Sequence, residues 1–213
     1  MDDRVNTAEI FANLLEALDT DPDARRIWNQ QWQTGAWPDV LTRALATAVG
    51  RAAPGLSITA KGVRDSYQRS EYLSLDLTAC GPGWGPPAVI AELENSNWKV
   101  EYCAWKLLCF DAPVRILVAY VDPTGQARAY GRSADELLER VRKVTADHPG
   151  KPLDVFCGHW NRGPASPESR GRIPVDESEA TAQPSPSRGY PGSAEGFPEA
   201  SGEKPGQIGR AHV

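Results

Sequence analysis

Cysteine is scarce in this chain and poorly arranged for metal binding. Only four are present in 213 residues, Cys80, Cys103, Cys109 and Cys157. No two have CxxC spacing, and all sit in apolar segments, so buried free thiols in a reducing compartment are expected. Cys157 and His159 stand two apart, but no second close Cys/His pair accompanies them, which argues against a zinc site. Long apolar runs are also missing. Nothing approaches the roughly 20 consecutive apolar residues of a membrane-spanning helix. Met1 is followed by Asp2, Asp3 and Arg4 rather than by a charged-then-apolar signal. A cytoplasmic protein without a membrane partner is expected. Positive charge is in deficit: the formal net charge is −5. Residues 1–160 alone hold 17 Lys and Arg against 21 Asp and Glu, a balance of −4. That disfavours a protein that mainly clamps nucleic acid non-specifically, while leaving room for a local basic groove.

Apolar residues nearly vanish after Trp160. Residues 161–206 are rich in Pro, Gly, Ser, Glu and Ala with no sustained period. Such a segment buries too little apolar area to offset its ordering entropy and is expected to be disordered. Residues 207–213 read differently. Ile208-Gly209-Arg210-Ala211-His212-Val213 resembles one reading frame of a common short-read sequencing adapter, and Gln207 fits the preceding codon. On that reading this stretch is not native, and His212 carries no functional weight. The domain is therefore expected to span residues 1–160.

Within it the hydrophobic period changes. Thr7 to Leu18 places Ile10, Leu14 and Leu18 on one helical stripe, with Thr7 as the expected N-cap. Asp21 to Trp32 reads as a second helix, and Pro38 to Val49 as a third with Pro at its first position. Strands are expected at Leu56 to Val63, Glu71 to Cys80 and Ala88 to Ser96, the last two joined by the Gly81–Pro87 loop. Trp98 to Phe110 reads as helical. Val114 to Val121 is nearly all apolar, as in a central strand covered on both faces. Ser133 with Glu136 forms a capping-box pattern for a helix to about Ala146, and Leu153 to Trp160 closes as a strand. The order implies an α/β fold: a mixed sheet, a meander first and parallel crossovers later, with helices on its faces.

Three carboxylates stand out. Asp76 lies in the second expected strand, on its polar face with Ser74 and Thr78. Glu92 and Glu94 are i and i+2 on the next, so they share one side. Antiparallel pairing across the loop lets Asp76 approach them. Carboxylates that close repel unless a cation or proton intervenes, and such oxygen ligands suit Mg2+ or Mn2+. The competing reading is an ordinary solvated strand face. Trp28, Trp32, Trp105 and Trp160 are expected in the core. Trp84, in the Gly/Pro loop, is expected as a cap on the core. Glu71 and Glu101 are read as surface charges, and Arg140, Arg142 and Lys143 as a solvated helix face.

This arrangement resembles the restriction-endonuclease-like, or PD-(D/E)XK, nuclease superfamily. The resemblance rests on an α-β-β-β-α-β order from about Pro38 to Val121. Asp76 in Tyr-Leu-Ser-Leu-Asp-Leu matches the motif Asp, and Glu92-Leu93-Glu94 matches the acidic-x-basic triplet. Glu94 stands where Lys usually stands, and no Pro precedes Asp76. In some members that Lys has moved to the following helix, where this chain has Lys99 and Lys106. The resemblance implies Mg2+- or Mn2+-dependent phosphodiester hydrolysis of nucleic acid, with DNA favoured, and is compatible with a homodimer. It implies Asp76 and Glu92 as metal ligands, Glu94 as a further ligand or base, and Lys99 or Lys106 as the electrostatic catalyst. The alternative it leaves open is a binding or regulatory module that keeps the nuclease fold without catalysis.

Overall fold

Helices lead the chain. In the computed structural model, which describes residues 5–34, 36–61, 74–83, 85–94, 96–125, 131, 133–164 and 167–173, α1 covers Thr7–Thr20. Its N-cap is Asn6 rather than Thr7: the Asn6 side chain accepts from the Ala8 N–H at 3.0 Å. Asn reaches the orphan N–H groups of the first turn as well as Thr does, which leaves Thr7 free to be the first helical residue. The second helix, α2, is Ala24–Thr34 and begins later than the sequence suggests, because Asp21 and Asp23 form a turn in which the Asp21 carboxylate accepts from the Asp23 N–H at 2.8 Å. The third, α3, is Trp37–Ala52, with Pro in its first turn, where a missing N–H costs nothing.

A six-stranded sheet follows, in the spatial order β1-β2-β3-β4-β5-β6. Strands β1 (Ser57–Ala60), β2 (Leu77–Cys80) and β3 (Pro87–Glu94) form an antiparallel meander. Helix α4 (Val100–Cys109) then crosses over to β4 (Val114–Val121), which is parallel to β3. Helix α5 (Ala134–Ala146) leads to β5 (Leu153–His159), parallel to β4. The Ser133 hydroxyl accepts from the Glu136 N–H, as the capping pattern predicts.

Two departures concern the ends of expected elements. Asp76 is not mid-strand: β2 begins at Leu77, and Asp76 sits at the bend before it. Ser74 has φ +57°, a left-handed conformation that interrupts an extended run. Residues 71–73 of that expected strand, and Trp84, Asn95 and residues 174–213 with the expected tail and adapter stretch, lie outside the described residues. The domain also does not stop at Trp160. Residues Glu168–Ile173 form β6, which pairs antiparallel with β5. An edge strand is held by main-chain hydrogen bonds to its neighbour and needs little apolar side-chain pattern, so composition hides it.

Period two along β4 divides the core. Ile116, Val118 and Tyr120 pack with α1, α2 and α3 on one face, while Leu117, Ala119 and Val121 pack with α4 and α5 on the other. On the first face Trp28 stacks at 4.6 Å from both Trp37 and Trp160 and 5.1 Å from Tyr120, tying helices to sheet. Gly158 permits this: a Cβ there would lie 2.3 Å from the Tyr120 ring. Trp105 departs from its expected place and is exposed, because α4 turns Val100, Cys103, Ala104, Leu107 and Leu108 inward. Cys109 is likewise exposed, whereas the other three cysteines are buried. Among the described residues no helix is long and apolar enough to cross a membrane.

Candidate functional site

Sheet register sets the site. β1 and β2 pair Ala60 with Leu77, and β2 and β3 pair Leu77 with Ala91. One residue further along each strand, the same register places Lys61 beside Asp76 and Asp76 beside Glu92. The Lys61 N–H donates to the Asp76 carbonyl at 2.9 Å, which continues the β1–β2 ladder. Lys61, Asp76 and Glu92 therefore form a row across the end of the meander, on the side facing α4. The Lys61 ammonium stands 3.9 Å from Asp76 Oδ1.

Asp76 and Glu92 are interlocked through the main chain. The Asp76 N–H donates to Glu92 Oε1 at 3.3 Å, and the Leu93 N–H donates to Asp76 Oδ2 at 2.9 Å. Each carboxylate is thus oriented by the strand that carries the other. Such bonds hold acidic side chains rigidly at the strand ends.

Lys106 completes the group from α4. Its Nζ lies 2.8 Å from Glu92 Oε1 and donates to the Ser74 carbonyl at 2.8 Å. Position 106 is two turns into α4, just where the helix passes over the end of β3. The left-handed turn at Ser74 presents its carbonyl to the same ammonium. Lys99 has a different place. It belongs to the short turn before α4, is exposed, and holds its ammonium 4.7 Å from the Trp98 ring centroid. Of the two lysines, Lys106 is the one that touches the carboxylates.

Glu94 lines the same cavity but turns toward the start of α4. Its carboxylate accepts from the Ser96 N–H at 2.6 Å and faces Cys103 Sγ at 3.7 Å. Asp76, Glu92, Glu94, Lys61, Lys99 and Lys106 all border one cavity of about 610 Å³, with Trp98 and Tyr102 at its rim.

Burial makes this chemistry unusual. Glu92 is only 3% exposed. Loss of water pushes its carboxyl up to about 7, against the opposing pull of the Lys106 hydrogen bond, and the Asp76 charge adds to the rise. Burial works against the Lys106 charge, but the Glu92 hydrogen bond and charge outweigh it and hold the ammonium above its usual range. The Cys103 thiol is pushed up by burial and then by the Glu92 and Glu94 charges, so it is a neutral thiol and not a nucleophile.

The donor set can be tested against a divalent ion. Asp76 and Glu92 offer hard oxygen donors on adjacent chain segments, the type Mg2+ and Mn2+ take. Among the described residues no three His, Cys, Asp or Glu side chains form a group able to hold a metal ion alone. Mg2+ needs less than that, being commonly bound by one or two carboxylates with water and substrate phosphate. The pair fits a site completed by substrate.

Lys61 and Tyr102 escaped the sequence reading, which has Cys103 only as a buried free thiol. A strand register for β1 and β2 would have put Lys61 opposite Asp76, but the intervening segment is too long to read that register from spacing. Glu101, read as a surface charge, instead pairs through its carboxylate with the Arg140 guanidinium of α5, which ties the two helices of this face together. The ion pair holds the Glu101 carboxyl below its usual range.

No protein-family model matches the chain, and no curated protein or solved structure matches it at a significant level.

Proposed function

We propose that this chain is a divalent-metal-dependent phosphodiesterase of the restriction-endonuclease-like kind, hydrolysing nucleic acid, with DNA favoured. One observation carries the reading: Lys106 reaches from α4 to within 2.8 Å of Glu92, whose partner across the strands is Asp76. A lysine supplied by the helix takes the role of the one missing from the Glu92-Leu93-Glu94 triplet. The order α3-β1-β2-β3-α4-β4, with β4 parallel to β3, also supports it.

In this reading Asp76 and Glu92 would hold Mg2+ or Mn2+, which would supply Lewis-acid polarisation of the phosphate and a water of lowered pKa. The Lys106 ammonium faces the phosphoryl oxygens and stabilises the negative charge that builds there as water adds to phosphorus and the opposite P–O bond breaks. Lys61, on the other side of Asp76, orients a neighbouring phosphate of the same strand. Glu94 accepts a proton from the attacking water at the cavity wall, and the departing oxygen takes its proton from solvent.

A second reading has its own observation. Lys106 and Glu92 already neutralise each other, and no three-ligand group is present among the described residues. A nuclease-fold module that binds without cleaving would look the same. Calorimetric titration of the full chain with Mn2+, wild type against Glu92→Ala, separates the two, followed by cleavage assays on DNA. The enzyme reading expects binding that the substitution abolishes, together with metal-dependent cleavage. No Mn2+ binding, even with a phosphorothioate oligonucleotide present, leaves the binding module.

A further inference from the structure

Three large hydrophobic side chains are exposed among the described residues, and all are aromatic: Trp98 at 72%, Tyr102 at 58% and Trp105 at 46%. Their spacing is i, i+4 and i+7, so they line one side of α4 and the turn leading into it. Tyr102 and Trp105 have ring centroids 5.9 Å apart at 32°, which makes them a near-continuous surface. Core packing does not explain them, since α4 is already held by its opposite face.

Two grooves meet along this stripe. Trp98 and Tyr102 rim the carboxylate cavity. Tyr102 and Trp105 line a second groove of about 540 Å³ between α4 and α5, together with Arg140, Lys143 and His148. Tyr102 borders both, so the second groove adjoins the site. Cations accompany the rings: Lys99 lies over Trp98, and the Lys106 ammonium is 5.8 Å from the Tyr102 centroid.

From this arrangement we infer that the α4 stripe is a stacking platform for single-stranded nucleic acid, which feeds an unpaired strand to Asp76, Glu92 and Lys106. The inference rests on the nuclease-fold reading of that site and names its substrate class. Aromatic faces bind base faces, and only an unpaired strand exposes them. A duplex hides its base faces in the stack and leaves the rings nothing to bind but groove edges and phosphates. These grooves hold Lys61, Lys99 and Lys106 against Asp76, Glu92 and Glu94, and Arg140 and Lys143 against Glu101 and Asp147. The lysines and Arg140 in these grooves can meet a strand's phosphates while the exposed rings take its bases.

The test is fluorescence anisotropy of labelled dU15, rU15 and a 15-base-pair duplex with the full chain in EDTA, where cleavage does not interfere. Either single strand is expected to bind at least tenfold tighter than the duplex, and the better of the two identifies the sugar. Trp98→Ala and Trp105→Ala should each weaken single-strand binding by roughly 5- to 150-fold, the range for loss of one base–aromatic stack. Trp98→Phe should restore most of it. Circular dichroism and thermal melts of the same proteins establish that these exposed positions leave the fold intact. Duplex binding equal to single-strand binding overturns the inference, as does unchanged affinity in folded Trp variants. So does a wild-type dimer in sedimentation that Trp98→Ala splits, which would make the stripe a self-association face. Metal-dependent cleavage by Trp98→Ala and Trp105→Ala of an oligonucleotide at saturating concentration reads the carboxylate site separately, so the platform and the metal site fail independently.

Discussion

Lys106 and Glu92 form an ion pair across the junction of α4 and β3, 2.8 Å apart and largely shut off from water. Neither charge is well accommodated there without the other. Removing one partner of a buried pair strands an uncompensated charge, at a typical cost of about 3–5 kcal/mol. Lys106→Met keeps most of the apolar stem and removes the ammonium, with its ion pair to Glu92 and its hydrogen bond to the Ser74 carbonyl. Urea denaturation should show a loss of about 3 kcal/mol at pH 8. At pH 5 the loss should be smaller, because Glu92 can then escape its charge by protonation. If the site is catalytic, turnover of a DNA substrate should fall by about 100- to 1,000-fold, the usual effect of deleting one electrostatic stabiliser.

Glu92 also makes stability depend on pH. Its folded carboxyl titrates at about 7, above the ordinary 4.5. Between those values the folded chain keeps a proton that the unfolded chain releases. Its stabilising effect is therefore complete below about pH 4.5 and is lost as pH rises through 7. A shift of that size corresponds to about 3 kcal/mol. Glu92→Gln removes the titration, so its stability relative to wild type should improve between pH 4.5 and 8. Parallel pH profiles for the two proteins would show that Glu92 titrates normally.

Metal affinity should follow the same proton. A divalent ion binds the carboxylate form, so binding must displace the proton from Glu92. Mn2+ affinity measured by calorimetry should rise about tenfold per pH unit below 7 and level off above it. Titrations at pH 7 in buffers of different ionisation heat should reveal release of about half a proton per ion bound. Affinity that is flat from pH 5.5 to 8 would remove Glu92 from the ligand set.

Gly158 is a pure packing requirement. Any side chain there meets the Tyr120 ring, which is buried and hydrogen-bonded through its hydroxyl to the Pro164 carbonyl at 3.0 Å. Gly158→Ala should destabilise the protein by about 1–3 kcal/mol, the range for overpacking a well-filled core. Near-ultraviolet circular dichroism should change with it, because Tyr120 contacts both Trp28 and Trp37.

Local pattern carried much of the architecture. The nearly continuous apolar run Val114–Val121, broken only by Arg115, is a central strand because a strand covered on both faces has no solvent face to keep polar. Ser133 and Glu136 mark the start of α5 because a helix's first N–H groups need nearby acceptors. Asp76, Glu92 and Glu94 were legible as a group, since period two and a short loop bring adjacent strand ends together.

Tertiary packing decided the rest. Trp105 and Leu107 look alike in a hydrophobic pattern, and only the docking of α4 against the sheet determined which of them meets water. Strand β6 has no apolar signature, because it is held by main-chain hydrogen bonds to β5. Lys106 and Lys99 were equivalent in sequence until the path of α4 brought one ammonium to Glu92 and carried the other to Trp98. Lys61 reaches Asp76 through a strand register that no local spacing encodes. Composition and periodicity act over a few residues. The charge on a buried carboxylate depends on groups 14 and more positions away, which only the folded chain brings into contact.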